Sequence, residues 1–352
     1  MRLRLRLPRL DFRGGPNCDE RPRAPGIVAG FPFVTTAWKI SIVVSLMLAA
    51  LLWAERHRYD TALARHLEQG KAYAAKQFEL TGTLPPVLAE SSGIAVSRAQ
   101  PGVYWTHNDS GDRPNLYAID AAGKLLATFA VAAAEARDWE DMAAGPCIAE
   151  RAPSGTVTPV CLYLADIGDN DRRWPWLTVY VVVEPRLDES TRTIASRSFR
   201  YRYPAGPDDQ EAFAVLPDGD ATIVSKGRSG TIAFFRLRRD AIARAVVSGE
   251  VLTAEYAGDS GIRPDAGIGR LVSGAAVSPD GTTLAVRTYY EVFFFSAVKD
   301  RDVVNWRGPG KPCFLGDAES QGEAITYVDH DTLLLTSERG RGAAGLVHRL
   351  RC

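Results

Sequence analysis

The pattern of apolar and polar positions changes twice along the chain. Residues 40–54, ISIVVSLMLAALLWA, form an uncharged apolar run flanked by Trp38 and Lys39 on one side and by Glu55 and Arg56 on the other. The run has no polar face, so it reads as a membrane-directed helix rather than one side of a core helix. At roughly 1.5 Å per residue it reaches about 22 Å, and spanning a hydrocarbon core of about 30 Å requires Thr35 to Trp38 to join it and Lys39 to snorkel. That length also suits the apolar stretch of a signal peptide. No small-x-small cleavage site follows, which favours an uncleaved signal anchor. From Glu55 to about Gln77 the sequence is Ala-rich, charged and free of proline, and predicts a helical stalk. From Phe78 onward, short runs of Val, Ile, Leu, Tyr and Phe are separated by Gly, Pro, Asp and Asn clusters, an all-β texture.

The β region is self-similar. ESSGIAVS at Glu90, DWEDMAAG at Asp138, DQEAFAVL at Asp209, VSGAAVSPDG at Val272 and QGEAITYVD at Gln321 align, with Ala95, Ala143, Ala214, Ala276 and Thr326 in one column. The spacings of 48, 71, 62 and 50 residues are close to the period of propeller blades. Each repeat is followed by further strand-like segments, except that the last lacks an outer strand, which Phe78 to Leu84 is placed to supply. The expected fold is an all-β propeller of about five four-stranded blades, with a sixth able to hide in the 71-residue interval, preceded by one transmembrane helix and a stalk. A β-sandwich does not explain a repeated first strand with a fixed acid-small-apolar signature. The implied organisation is a basic, disordered cytoplasmic tail over residues 1–37, a signal anchor over 38–54, the stalk over 55–77 and the propeller over 78–352.

Charge refines the picture locally. Lys plus Arg and Asp plus Glu both number 42, so no net field draws the molecule to nucleic acid. The first 39 residues hold seven arginines, Lys39 and three acids. Arg2, Arg4 and Arg6 read either as a nucleic-acid arm or as a topology signal before the apolar run; close to the helix Arg56, Arg58 and Arg65 rival Arg21, Arg23 and Lys39, and the Arg-rich far tail tips the expected orientation toward a cytoplasmic tail. The expected location is a bacterial inner membrane, crossed once, with the C-terminal domain in the periplasm or outside the cell. Of five cysteines, Cys18 precedes the helix, while Cys147, Cys161, Cys313 and Cys352 follow it. Cys147 and Cys161 flank one strand-to-strand connection, and pairing Cys313 with Cys352 requires two neighbouring blades to meet; buried free thiols are the alternative.

In a propeller the loops leading into each first strand share a rim with the loops joining second and third strands. The leading loops carry Glu90, Asp138, Glu140, Asp209, Glu211 and Glu323, and the second-to-third loops carry His107, Asn108, Asp109, Asp166, Asp169, Asn170, Lys226, Arg287 and Glu338. Convergent carboxylates are costly unless compensated, and hard oxygen ligands suit calcium or magnesium. Asp109, Asp138, Asp166 and Asp169 are the expected metal ligands, calcium the expected ion, and His107, Lys226 and Arg287 the expected catalytic or substrate-binding groups. DIGDND departs from an EF-hand loop in spacing and also reads as an Asx-turn. The repeated Glu140, Glu211 and Glu323 also read as groups that bond backbone amides and fix blade register. Lys226 and Arg287 equally read as salt-bridge partners of the acids. There is no G-x-S-x-G, HExxH or Walker motif.

Together ESSGIA, HNDSG, LYAID, DWEDMA, DIGDN, DQEAFA and GEAITY resemble a family of poorly characterised bacterial secreted or membrane-anchored propellers over about Leu84 to Thr336. That family is similar in turn to phytase-type and esterase-like propellers, which implies calcium-dependent hydrolysis by fold-level analogy alone, since no phytase signature matches residue by residue. Three functions follow as expectations: a membrane-displayed propeller binding a small molecule or protein partner on its acidic rim, a calcium- or magnesium-dependent hydrolase of phosphate or other esters, or, third, a structural scaffold.

Overall fold

The computed structural model of the protein describes residues 33–70, 77–148, 159–316, 318–340 and 343–352. Most of the expected basic tail therefore lies outside the described residues. Helix α1, Phe33–Gly70, contains the apolar run and most of the expected stalk. Leu46, Met47, Leu51 and Leu52 are exposed on it, and from Ile40 it is long and apolar enough to cross a membrane. Two units divide the chain, Met1–Arg56 and His57–Cys352. Within the second, the end of α1 sets His66 edge-on against Phe314, with ring centroids 5.8 Å apart.

The second unit is a five-bladed β-propeller. The inner strands are Ser91–Val96, Trp139–Pro146, Gln210–Val215, Val272–Val277 and Gly322–Tyr327, one per blade. Their crowding at the axis explains the small residues of the repeat, such as Ala95, Ala212, Ala214, Ala275, Ala276 and Ala324, all buried. Larger side chains fill the wedges farther out. Trp105, Phe129, Trp139 and Tyr180 pack between blades 1 and 2. Tyr163, Phe199, Tyr201 and Phe213 pack between 2 and 3, and Phe234 with Phe295 between 3 and 4. Leu335 and Ile325 meet Ala285 and Val292 between 4 and 5, while Leu334 and Val347 meet Ile94 and Tyr104 between 5 and 1. Five such apolar wedges close a ring with no free interface.

The ring is locked where the two ends of the propeller meet. Gln77–Thr83 runs antiparallel to Leu346–Arg351 and becomes the outer strand that blade 5 lacks, so the first and last strands of the propeller share one sheet. The 71-residue interval holds no sixth blade. Part of it, Thr193–Ala195, returns to pair in parallel with Leu125–Ala132 of blade 1. Likewise Val251–Thr253, after helix α2 (Arg239–Ser248), pairs in parallel with Arg197–Arg202 of blade 2. Each excursion staples a later segment onto an earlier blade. Disulfides join Cys147 to Cys161 and Cys313 to Cys352, and the second ties the C-terminus to blade 4.

One carboxylate pins the axis. Asp141, on the inner strand of blade 2, is 0 % exposed. Its Oδ2 accepts hydrogen bonds from the backbone N–H of Phe213 in blade 3 at 2.9 Å and of Ala275 in blade 4 at 3.1 Å, while Oδ1 accepts from Met142 N at 2.8 Å. These donors face the axis, where no neighbouring strand reaches them, so without Asp141 they are buried and unpaired. Replacing Asp141 with Ala is expected to lower unfolding free energy by about 3–5 kcal/mol, because three buried donors lose their acceptor. Asp141→Asn is expected to cost less, since its amide oxygen still accepts from blades 3 and 4. Urea unfolding checks both, and a loss below about 1 kcal/mol for the Ala variant contradicts the pin.

Candidate functional site

Each inner strand contains one residue more than its partner strand can pair. The register jumps from Ser91 to Gly93, Trp139 to Asp141, Gln210 to Ala212, Val272 to Gly274 and Gly322 to Ala324. The unpaired residues are Ser92, Glu140, Glu211, Ser273 and Glu323, one per blade at the same height. A β-bulge turns its extra side chain out of the ladder, and here five bulges aim five side chains at neighbouring blades around the mouth of the axis. The two serines satisfy backbone carbonyls across the blade boundary: Ser92 Oγ donates to Glu140 O at 2.7 Å, and Ser273 Oγ to Gly322 O at 2.9 Å. The three glutamates are left as a buried carboxyl ring.

Asp109 and Asp138 complete the mouth from the loops above blades 1 and 2. One oxygen each from Asp109, Asp138 and Glu140 lies within 4.8 Å of the other two. Some point is therefore no farther than about 2.8 Å from all three, close to the 2.3–2.6 Å of calcium–oxygen bonds. Gly168 of the DIGDN motif makes this possible. A Cβ on it would fall 2.3 Å from both Asp138 Oδ2 and Glu140 Oε1, so a side chain there displaces the carboxylates. Asp109 Oδ1 and Glu323 Oε2 are buried with no hydrogen-bond partner among the described residues, and Glu323 is 3 % exposed.

Burial and mutual repulsion push these acids toward the protonated form. Asp109 is raised to about 7, chiefly by burial and then by Asp138. Glu211 is raised to about 7 by burial, and Glu140 well above its usual range by burial and by Glu211. Burial and Glu211 raise Glu323 likewise, and burial with Asp109 brings Glu338 to about 7. Asp109 hydrogen-bonds Asp138, and Glu140 hydrogen-bonds Glu211, so these pairs share protons when no cation is present. Lys226 is the ammonium inside the ring: it pairs with Glu211 and lies 3.7 Å from Asp209. Burial alone lowers its pKa, but Glu211, Glu140 and Asp209 outweigh that and hold it charged. Arg228 meets the outer side of Asp209 at 3.1 Å.

The residues expected from sequence separate into two groups. Asp109, Asp138 and Lys226 meet at the mouth. Asp166 accepts from Asp138 N at 2.8 Å and lies 3.8 Å from Arg137, so it braces the loop behind Asp138. Asp169 accepts from Arg173 N and Trp174 N at 2.8 and 2.9 Å, the Asx-type use of its carboxylate. His107 is in the second strand of blade 1, fully buried edge-on against Trp139, and burial lowers its pKa to about 4. Arg287 is 0 % exposed, pairs with Glu319 and donates to Ala324 O at 2.7 Å and Thr336 O at 3.0 Å. Glu319 also receives His348 Nδ1 at 2.8 Å, so Arg287 belongs to a buried lock between blades 4 and 5. Glu140 was visible in the repeat column but carried no sign that it leaves the ladder.

No protein-family model matches the chain, and no curated protein matches it either. Solved structures do. An aldose sugar dehydrogenase from Streptomyces coelicolor, solved with bound PQQ, is 11 % identical, with a TM-score of 0.42 over 78 % of this chain and 98 % of its own. A protein from Thermus thermophilus described as a putative oxidoreductase (glucose dehydrogenase) is 10 % identical, with a TM-score of 0.41 over 78 % and 99 %. A luciferin-regenerating enzyme is 8 % identical, with a TM-score of 0.39 over 78 % and 95 %. These likenesses are too distant to bring a substrate or a reaction with them.

The protonation pattern has a measurable sign. A carboxyl whose pKa is higher folded than unfolded binds more protons in the native state, so its contribution to stability falls as pH rises from the unfolded pKa through the folded one. For Asp109, Glu211 and Glu338 that window runs from about 4 to about 7. In EDTA the melting temperature is expected to fall between pH 5 and pH 8, and saturating calcium is expected to flatten the decline. A metal-free melting temperature that climbs across this range refutes the assignment.

Proposed function

We propose that this chain is a membrane-tethered propeller whose axial mouth holds a divalent cation, calcium, and presents it to an oxyanion-bearing ligand. The observation that carries the reading is the convergence of Asp109, Asp138 and Glu140 on one point, with Gly168 leaving room for them. The spread of their oxygens suits calcium better than magnesium, which requires bonds near 2.0–2.1 Å. Three ligands leave coordination positions open toward solvent, where a carboxylate or phosphate of a ligand completes the shell. Lys226 offsets the remaining charge of Glu211 and Asp209, so the ion site need not neutralise the whole ring. The two disulfides suit an oxidising compartment, and an apolar α1 as an uncleaved anchor keeps the propeller on the extracytoplasmic face of a bacterial inner membrane.

Hydrolysis is the second reading, favoured by one observation: Glu211, with its pKa brought to about 7, hydrogen-bonds Glu140 and is poised to take a proton near neutral pH. His107, Lys226 and Arg287 are poorly suited to that role, being respectively buried and neutral, held charged, and locked between blades.

Thermal melting of the full chain in detergent micelles tests the cation site. Calcium at a hundredfold its dissociation constant is expected to stabilise by about 2.7 kcal/mol, a rise of roughly 5–10 °C in melting temperature. The rise should vanish on adding EDTA and in Asp138→Asn and Glu140→Gln, and shrink in Gly168→Ala. No rise, or one undiminished in the first two variants, overturns the proposal. Turnover of phosphate or carboxylate esters by calcium-loaded protein, lost in Glu211→Gln, decides for the hydrolytic reading.

A further inference from the structure

The opposite end of the axis is built quite differently. The inner strands of all five blades surround a cavity of about 300 Å³, walled by Ile94, Met142, Ala144, Val215, Ala276 and Ile325 among others. That volume lies at the lower end of small-molecule sites and corresponds to roughly ten water-sized atoms. Met142 lines the cavity next to the Asp141 pin, whose hydrogen bonds to blades 3 and 4 cross the axis. Pro217 and Pro279 belong to the lip and bring no backbone N–H. Of the hydroxyl groups in the lining, Ser278 Oγ donates to Asp280 at 2.6 Å, and Thr326 Oγ1 accepts from Val96 N.

One charged side chain lines this cavity among the described residues, and it is Arg98. Its guanidinium makes no hydrogen bond among them. Glu184 is the nearby acid: its Oε1 accepts from Ser97 Oγ and Trp105 Nε1, and its Oε2 has no hydrogen-bond partner among the described residues. Arg98 is exposed at the rim of the cavity, so its guanidinium is open to an incoming anion. A cation at the lip of an apolar well complements a ligand with an apolar body and an anionic end.

We propose that the axial well opposite the acidic mouth is a binding site for a small apolar carboxylate, with its hydrocarbon body among the inner-strand side chains and its carboxylate on Arg98. The site is independent of the cation site and stands whether or not calcium binds.

The test is saturation-transfer NMR and calorimetric titration of the full chain in detergent micelles with 3-phenylpropionate, with 3-phenylpropionamide as the uncharged match and empty micelles as the blank. The acid is expected to bind at least tenfold more tightly than the amide. Arg98→Gln should erase that preference while leaving weak binding of both. Ala144→Phe, which fills the well, should abolish both, with an unchanged melting temperature and circular dichroism spectrum confirming that the ring is intact. Binding no stronger than to empty micelles, equal affinity for acid and amide, or full binding by a folded Ala144→Phe protein overturns the proposal. If Ala144→Phe does not fold, Val96→Phe on the neighbouring wall replaces it under the same criteria.

Discussion

Five strands can approach one axis only if their side chains are small, and this protein adds a second condition: each strand carries one residue too many. The extra residue cannot pair, so it turns out of the ladder toward the adjacent blade. Where it is Ser92 or Ser273, the hydroxyl reaches a backbone carbonyl and the boundary is neutral and satisfied. Where it is Glu140, Glu211 or Glu323, a carboxyl is delivered into a space from which water is largely excluded. Much of the mouth's chemistry follows from that placement. Buried like charges must be protonated, paired with a cation, or bound to a metal. Lys226 answers for part of the ring, and the corner formed by Asp109, Asp138 and Glu140 remains as the place proposed for a divalent ion.

The same crowding explains why the ring is rigid enough to hold such a site. Asp141 follows the bulged Glu140 directly, and the step that turns Glu140 toward the mouth leaves Asp141 facing the axis below it. From there its carboxylate reaches blades 3 and 4. Burial drives the Asp141 carboxyl upward, and the three N–H donors oppose that by stabilising its charged form. One short segment, Asp138 to Asp141, thus supplies two oxygens of the proposed ion site and the central pin. Stability and the site are coupled through neighbouring residues on one strand.

Much of this was legible in sequence, but unevenly. The column Ala95, Ala143, Ala214, Ala276 and Thr326 reveals the blades because axial crowding selects small residues at a fixed height, and that selection survives loops of differing length. The missing outer strand of the last repeat points to closure by Phe78 to Leu84 for the same reason: an unpaired sheet edge needs a partner. The bulges are invisible, because a register slip is a relation between two strands and leaves no mark on one. Glu140, Glu211 and Glu323 therefore read as register-fixing groups although their column was plain. DIGDN announced a tight, acid-lined turn, yet which of its residues matter depends on backbone direction. Asp166 and Asp169 bond backbone N–H groups, and the residue that serves the mouth is Gly168, by having no side chain. His107 and Arg287 were assigned to loops one or two residues too generously. Both end up inside strands, Arg287 beside Glu319, an acid that no repeat pattern singled out.

An axis crossed by a buried carboxylate cannot serve as an open conduit between its two ends. Movement of a solute past Asp141 would break its bonds to Phe213 and Ala275 together, unpairing two donors and a buried carboxyl at once. The acidic mouth and the apolar well are therefore separate compartments sharing a wall, and each can be tuned without the other. Among the described residues, carboxylates concentrate above the wall, and below it lie mostly alkyl side chains with the Arg98 guanidinium at the rim. Five similar repeats produce this asymmetry because each inner strand spends its bulge at one end only. Ordinary alternation continues toward the other end, where small and branched apolar residues face the axis.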